Sequence, residues 1–186
     1  MKVESFNIEG LLLLAPEVFY DDRGYFLETF NEARYAEFGI KKHFTQDNFS
    51  FSKKGVLRGL HYQAPPFEQG KLVSVFLGKV LDVAVDIRAG SPTFGKYVSV
   101  ELSEENKKQL WIPAGFAHGF VVLSDFALFA YKCTNAYSKE HDRGILWNDP
   151  ALGIDWQIEN PIVSEKDSHL PILEEYLQNP KFRYKE

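Results

Sequence analysis

The sequence has 186 residues, of which 45% are hydrophobic and 15% aromatic, and its formal net charge is -5. A chain of this length can bury one sizeable core, so we expect a single domain over residues 1–186. The acidic balance argues against a nucleic-acid-binding face, because such a face needs clustered Lys and Arg in excess.

Two further features limit the possible classes. The single cysteine, Cys133, excludes an internal disulfide and a thiolate metal cluster, and we expect it to be a buried thiol. The apolar run nearest the first residues, 11–15, is too short to span a bilayer or to form a signal-peptide core. We therefore expect a cytoplasmic protein that does not bind membranes.

The first predicted elements are a short helix and two strands. Asn31 is a favoured helix cap, and a helix from there to Phe38 would end at Gly39. Residues 72–77 and 81–88 are rich in β-branched and apolar side chains, with Gly78 and Lys79 between them. This arrangement predicts a hairpin.

The strand over residues 81–88 alternates with period two. The pattern buries Leu81, Val83, Val85 and Ile87 on one face. Asp82, Ala84, Asp86 and Arg88 point to the other face, which is either solvent or a polar cavity.

Further strands are predicted over residues 97–102, 109–112, 119–123 and 128–133, and a second helix over 172–178. Turn-rich stretches separate these strands. The sequence thus predicts an all-β protein, an antiparallel barrel or sandwich with a few short helices.

Two stretches have the spacing of chemical motifs: residues 55–63, followed by Glu68, and residues 113–118. They resemble the two signature motifs of the cupin superfamily, whose metal-binding members place two histidines two residues apart in the first motif. Here the second of these positions is Gln63, and an amide is a poorer metal ligand than an imidazole. We expect no metal, and His61 is then free for proton transfer.

The resemblance extends over most of the chain. Matching stretches run in order over residues 22–28, 46–50, 55–63, 69–73, 78–83, 86–88, 91–95, 111–119, 131–134, 147–150 and 164–167. In this order they resemble the dTDP-4-dehydrorhamnose 3,5-epimerase family. The resemblance implies a cupin-type antiparallel β-barrel, or jelly roll, and epimerisation at C3 and C5 of dTDP-4-keto-6-deoxy-D-glucose to dTDP-4-keto-L-rhamnose with no cofactor.

The resemblance also implies the catalytic residues. His61 would be the base that removes a proton next to the C4 ketone, and Asp167 would orient it. Lys71 would stabilise negative charge on the C4 oxygen, with help from His118, and Tyr131 would return a proton from the opposite face.

Substrate-binding residues and a partner follow in the same way. Arg23, Arg58 and Lys166 would bind the diphosphate, Tyr137 would stack on thymine, and Glu28, Gln46, Asp47 and Asn48 would hold the nucleotide and sugar. The resemblance also makes Asp142 a candidate substrate-binding residue. We expect the family to favour glutamate at this position, so the shorter aspartate side chain weakens the expectation of a direct contact with the substrate. The family implies a homodimer with exchanged N-terminal strands, in which Arg23 and Glu28 complete the partner's site.

Other interpretations stay open from the sequence alone. Asp167 lies three residues after Ser164 and fits a helix-capping pattern, Lys71 fits a solvated strand position, and His118 fits a packing role. The alternative functions are an epimerase acting only at C3 or C5, a ketoisomerase, a binding module without activity, and a metal-dependent cupin enzyme with His61, Glu68 and His118 as ligands.

Overall fold

Two antiparallel β-sheets make up most of the computed structural model, which describes residues 1–184. One sheet has the strand order β1-β2-β10-β7-β12-β5, the other β13-β6-β11-β8-β9, and β3 and β4 form a separate pair. The strands are β1 (Lys2–Ser5), β2 (Leu12–Ala15), β3 (Val18–Asp21), β4 (Gly24–Leu27), β5 (Gln46–Lys53), β6 (Leu57–Gln63), β7 (Lys71–Leu77), β8 (Lys79–Asp86), β9 (Tyr97–Ser103), β10 (Gln109–Ile112), β11 (Phe116–Val122), β12 (Phe126–Cys133) and β13 (Asp142–Gly144).

The helices are α1 (Glu32–Ala36), α2 (Glu165–Ser168) and α3 (Leu173–Gln178). Asn31 caps α1 through its side chain, and Ser164 caps α2 in the same way. The predicted all-β class with a few short helices is confirmed. Within residues 1–184, none of the helices combines the length and apolarity needed to cross a bilayer. The single-domain organisation stays a prediction.

The two faces of strand β8 lie against different parts of the protein interior. Leu81 and Val83 pack outward into a core that the C-terminal segment covers with Trp156 and Tyr176. Asp82, on the opposite face, is fully buried. The sequence pattern left this face either in solvent or in a polar cavity. The structure places it in the barrel interior, because both sides of the strand are covered.

The predicted hairpin over residues 72–88 is wrong. Strand β7 pairs with β10 and β12, whereas β8 lies in the other sheet and pairs with β11 and β9. Gly78 turns the chain between the sheets with φ +75°, and a Cβ there would lie 1.9 Å from the carbonyl oxygen of Phe126. The glycine therefore marks a corner between two sheets, since no side chain fits at this crossing.

The interior between the sheets is apolar at one end and polar at the other. Phe120 and Phe129 stack with ring centroids 4.0 Å apart in the apolar core, which Val73, Val80 and Leu110 help to fill. Further along the same strands, Lys71, Asp82 and His118 also face the interior. The apolar end stabilises the barrel by hydrophobic burial, and the polar end is left for a site.

A β-bulge in β6 sets the direction of its side chains. His61 lies opposite His118 and Arg58 lies opposite Phe120, so three steps along β6 match two along β11. Arg58 and His61 would otherwise point to opposite faces, because side chains alternate along a strand. The extra residue puts both on the face that turns toward the other sheet, where Arg58 is exposed and His61 half-buried, while Leu57 and Leu60 share the outer core.

The bulge depends on a close approach of two glycines. Gly59 has φ +139°, and a Cβ there would lie 2.5 Å from the Cα of Gly119. A Cβ on Gly119 would in turn lie 2.7 Å from the carbonyl oxygen of Arg58. Only glycines allow the two strands to come this close at the bulge.

Gly59→Ala should therefore destabilise the fold more than Gly39→Ala. Gly39 also has a positive φ, +89°, but open space around it, so its substitution costs only the backbone strain of about 1–3 kcal/mol. At Gly59 the contact with Gly119 adds to that strain. Urea unfolding of both variants measures the difference, and equal free energies of unfolding would contradict the packing argument.

Candidate active site

A cavity of about 170 Å³ opens at the polar end of the barrel. Its walls come from both sheets and from α2, and the lining residues are Gln46, Asn48, His61, Tyr62, Gln63, Gln69, Lys71, Tyr131, Cys133, Tyr137, Asp142 and Lys166. The cavity is smaller than the roughly 300–1,000 Å³ of pockets that enclose drug-sized ligands. It therefore suits one ring of a larger ligand, with the remainder lying at its mouth.

His61 and Asp167 form a dyad in this cavity. The His61 Nε2 lies 2.7 Å from Asp167 Oδ1, and the second carboxylate oxygen accepts the backbone N–H of Gly59 at 3.2 Å. The His61 side chain is 31% exposed and that of Asp167 only 5%. The imidazole is therefore accessible to a ligand while its partner is not.

The Asp167 carboxylate is ionised despite its burial. Burial alone would raise the pKa of Asp167, but the hydrogen bonds from His61 and from the Gly59 N–H together hold that pKa below its usual value. An ionised carboxylate accepts only, so neutral His61 must carry its proton on Nε2. The lone pair of Nδ1 is then free to accept a proton.

Asp167 also occupies the third position of helix α2. Its backbone N–H donates to Ser164 Oγ at 3.1 Å, which is the capping contact. The capping pattern and the dyad were competing interpretations of the sequence, and the structure contains both. They coexist because one uses the backbone of Asp167 and the other its side chain.

Lys71 and Tyr131 lie on neighbouring strands of the six-stranded sheet, across the barrel from His61. Burial lowers the pKa of Lys71, and the negative charges of Asp142 and Asp82 partly offset this effect. Burial raises the pKa of Tyr131, which keeps its phenol protonated at neutral pH. Among residues 1–184, Lys71 has no carboxylate within ion-pair distance.

His118 belongs to a second buried pair behind the cavity. Its Nε2 lies 2.9 Å from Asp82 Oδ2, and both side chains are more than nine-tenths buried. Burial lowers the pKa of His118, although Asp82 acts in the opposite direction. The other oxygen of Asp82, Oδ1, has no hydrogen-bond partner in the described part of the chain.

Tyr137 and Lys166 both contact Asp142 at the cavity mouth. Tyr137 donates its hydroxyl to Asp142 Oδ2 at 3.1 Å, and Lys166 Nζ donates to the same oxygen at 2.5 Å. Asp142 thus holds a cation and an aromatic ring at the entrance.

Strand β5 divides its polar residues between two faces. Gln46 and Asn48 line the cavity and share a hydrogen bond of 2.9 Å. Asp47 lies between them, points to the other face of the sheet and pairs with Lys132 at 2.8 Å. The structure therefore does not bring Asp47 into the cavity, because side chains alternate along a strand.

Arg23 and Glu28 also lie outside this cavity. Arg23 follows β3, pairs with Asp21 and leaves 90% of its side chain exposed, while Glu28 pairs with Arg34. Arg58 does not line the cavity either. Its Nε donates to Ser52 Oγ at 3.2 Å, and its charge opposes the rise in the pKa of Tyr131.

The three candidate metal ligands do not form a cluster. His61 and His118 are paired across the strands, but their imidazoles turn to Asp167 and Asp82. Glu68 keeps a buried oxygen without a hydrogen-bond partner in residues 1–184. Over the same residues, no group of three or more His, Cys, Asp or Glu side chains has an arrangement that could hold a metal ion.

Sequence reasoning missed several cavity residues. Cys133 was predicted as a buried thiol, which is correct, but it also lines the cavity. Gln69 lies two positions before Lys71, a spacing that could have indicated a shared face. Gln63 was considered only as a lost metal ligand, although its amide makes three hydrogen bonds.

Asp167→Asn should cost stability in a pH-dependent way. A depressed pKa in the folded state means that ionised Asp167 stabilises the fold above the ordinary Asp pKa of about 3.9. This contribution is lost as the pH falls through the lower pKa of the folded state. Near neutral pH we expect a loss of about 1–3 kcal/mol, measured by urea unfolding.

The loss should shrink as the solution is acidified, because wild type then also loses the charge. The exposed Asp22→Asn variant is the control and should match wild type throughout. A loss for Asp167→Asn that stays constant down to acidic pH would contradict the assignment of this charge.

Comparisons with known proteins place the chain in a family. The family model described as dTDP-4-dehydrorhamnose 3,5-epimerase matches residues 5–175. The dTDP-4-dehydrorhamnose 3,5-epimerase of Shigella flexneri is 58% identical over 168 residues, covering 90% of this chain and 93% of that protein. The enzyme of the same name from Pseudomonas aeruginosa is 56% identical over 169 residues, with coverages of 90% and 93%.

A solved structure agrees with this match. The crystal structure of dTDP-6-deoxy-D-glucose-3,5-epimerase from Legionella pneumophila Philadelphia 1, in complex with dTDP-4-keto-L-rhamnose, superposes with a TM-score of 0.96 at 51% identity. The similarity covers 100% of this chain and 99% of that one, and it confirms the predicted cupin-type barrel. The chain belongs to the dTDP-4-dehydrorhamnose 3,5-epimerase family.

Proposed function

We propose that this protein inverts C3 and C5 of dTDP-4-keto-6-deoxy-D-glucose to give dTDP-4-keto-L-rhamnose. The observation that carries the proposal is the His61–Asp167 hydrogen bond of 2.7 Å in a cavity that also contains Lys71 and Tyr131. Family membership and the ligand of the Legionella structure support this choice of reaction and substrate.

The first step is removal of a proton from a carbon next to the ketone. His61 accepts it on Nδ1, and the electron pair of the C–H bond moves into an enolate whose negative charge lies on the C4 oxygen. The His61 imidazolium that forms is stabilised by the ionised Asp167 beside Nε2. Because Asp167 is held by Gly59 and by helix α2, it orients the ring before the substrate arrives.

Lys71 stabilises the enolate. Its ammonium has no carboxylate partner within residues 1–184, so its charge is available to an oxygen in the cavity. Asp82, paired with His118 at 2.9 Å, lies near enough to favour the charged form of Lys71. In this proposal His118 acts indirectly, because it holds Asp82, whose negative charge favours the charged form of Lys71.

Tyr131 completes the inversion. It lies on β12 in one sheet, whereas His61 lies on β6 in the other, so the two side chains approach a ring in the cavity from opposite sides. The phenol donates its proton to the carbon, and the C–H bond re-forms on the opposite face. A proton removed by one side chain and returned by the other inverts the carbon.

The nucleotide lies at the cavity mouth. Lys166 and Arg58 bind the diphosphate, Tyr137 stacks on thymine, and Gln46 and Asn48 hold sugar hydroxyls. The arrangement is supported by the size of the cavity, which suits the sugar ring, and by the position of Tyr137 and Lys166 at its edge. Asp142 serves this proposal by holding Tyr137 and Lys166 together. A cytoplasmic location stays a prediction.

Deuterium uptake in heavy water tests the reaction. Wild-type protein incubated with dTDP-4-keto-6-deoxy-D-glucose should introduce deuterium at both C3 and C5, as seen by NMR of the product. His61→Ala should lower the rate at least about 100-fold, because a positioned general base contributes that much or more. His43→Ala removes an exposed histidine outside the cavity and should leave the rate unchanged.

The outcomes separate the alternatives. Label at one carbon only would show a single-site epimerase, and a moved carbonyl would show a ketoisomerase. Tight binding without any label would show a binding module, whereas loss of activity with a chelator would show a metal-dependent enzyme. The first three results would overturn the proposed double epimerisation, and the last would overturn its metal-free mechanism.

We also propose that two copies form a homodimer with exchanged N-terminal strands, in which Arg23 and Glu28 reach the partner's site. The support is a set of aromatic side chains on the outside of the chain. Phe49, Phe51 and Phe126 are more than half exposed on β5 and β12, as are Tyr20 and Phe26 on β3 and β4. Patches of this kind are typical of interfaces between proteins.

Sedimentation velocity tests the dimer. Wild type should sediment as a dimer, and Phe51→Asp should shift the protein toward the monomer because it places a charge on the apolar surface. A wild-type monomer at every concentration tested would contradict the proposal.

A further inference from the structure

Residues 134–141, here called the rim loop, carry Tyr137 at the mouth of the cavity. The Tyr137 side chain is 56% exposed, so packing alone does not fix its position. The backbone of the rim loop is instead held by side-chain amides. Gln69 Nε2 donates to the carbonyl of Asn135 at 2.7 Å, and the N–H of Tyr137 donates to Gln46 Oε1 at 2.8 Å.

Gln63 makes the largest number of these contacts. Its Nε2 donates to the carbonyls of Phe67 at 2.6 Å and Ala136 at 3.1 Å, and its Oε1 accepts the N–H of Ser138 at 2.6 Å. The residue is only 4% exposed. One buried amide therefore holds the backbone on both sides of Tyr137 and joins the rim loop to the segment that follows β6.

These contacts require an amide at position 63. A glutamine side chain offers two N–H donors and one carbonyl acceptor, and Gln63 uses all three. A glutamate has the same shape but, when ionised, only accepts, so it would place an oxygen against the Phe67 and Ala136 carbonyls. A histidine, the residue that metal-binding cupins have at this position, cannot supply two donors and an acceptor in these directions.

We propose that Gln63, assisted by Gln69, is a positioning residue that fixes Tyr137 over the cavity and thereby sets the affinity for the base of the nucleotide. This inference rests on the proposed function, in which Tyr137 stacks on thymine. Gln63 acts through the rim loop and not on the reacting carbons. Its loss should consequently weaken nucleotide binding more than it slows the chemical step.

The test compares Gln63→Glu, Gln69→Leu and Tyr137→Ala, singly and with each glutamine variant combined with Tyr137→Ala. The measurements are calorimetric binding of dTDP, and kcat and KM for the dTDP-4-keto sugar. Gln63→Glu should weaken dTDP binding and raise KM about tenfold, the equivalent of one lost hydrogen-bonding group, with a much smaller change in kcat. Gln69→Leu should act in the same direction with a smaller effect, because it removes one contact from a half-buried residue.

Coupling to Tyr137 distinguishes positioning from general support of the fold. If Gln63 acts through Tyr137, Gln63→Glu should cost little additional affinity in the Tyr137→Ala background. Full additivity, or a loss confined to kcat, would overturn the inference. Should Gln63→Glu fail to fold, Gln69→Leu with and without Tyr137→Ala decides in the same way.

Failure of the proposed function would look different. In that case neither wild type nor the position-63 variants would convert the dTDP-4-keto sugar. The binding cycle with dTDP would still report whether Gln63 and Tyr137 are coupled.

Discussion

The carboxylate of Asp167 is the group on which the rest of the site depends. It is buried, and a buried charge is tolerated only where donors surround it. Its donors are the N–H of Gly59 and the imidazole of His61. These two hydrogen bonds therefore stabilise the buried charge and also hold the bulge of β6. Helix α2 brings this carboxylate to a strand more than 100 positions earlier in the chain. The same hydrogen bonds therefore fix both the orientation of the His61 imidazole and the path of strand β6.

The barrel provides two environments along the same strands. Phe120 and Phe129 fill one end with apolar contacts, and a few residues further along, His118 and Tyr131 face the polar end. His61 and Tyr131 lie on different sheets, which places them on opposite sides of anything bound between. An inversion needs such an arrangement, whereas two groups on one face would return the proton to the side from which it came.

Much of this fold was predictable from local pattern. The strand at residues 109–112 and the helix cap at Asn31 are found as expected, since period and capping chemistry are local properties. The corner at Gly78 was not predictable, because a glycine between two apolar runs fits a hairpin as well as a turn between sheets. The bulge at Gly59 was also hidden, since it depends on the approach of Gly119, sixty positions away.

The site shows the same limit. The alternation of β5 separates Asp47 from Gln46 and Asn48, and this separation was already readable from period two. The pairing of His61 with Asp167 was not, because helix α2 reaches β6 only through the fold. Family resemblance indicated both residues, and the structure brings them within hydrogen-bond distance. The chemical roles of these residues stay predictions.

The outward-facing aromatic side chains of β5 and β12 have a thermodynamic consequence. Water solvates such a surface poorly, so a second copy that covers it adds binding free energy to the folding equilibrium of each subunit. By mass action, the melting temperature of the protein would then rise with its concentration. A value measured in dilute solution would understate the stability of the protein at the concentrations at which it is stored.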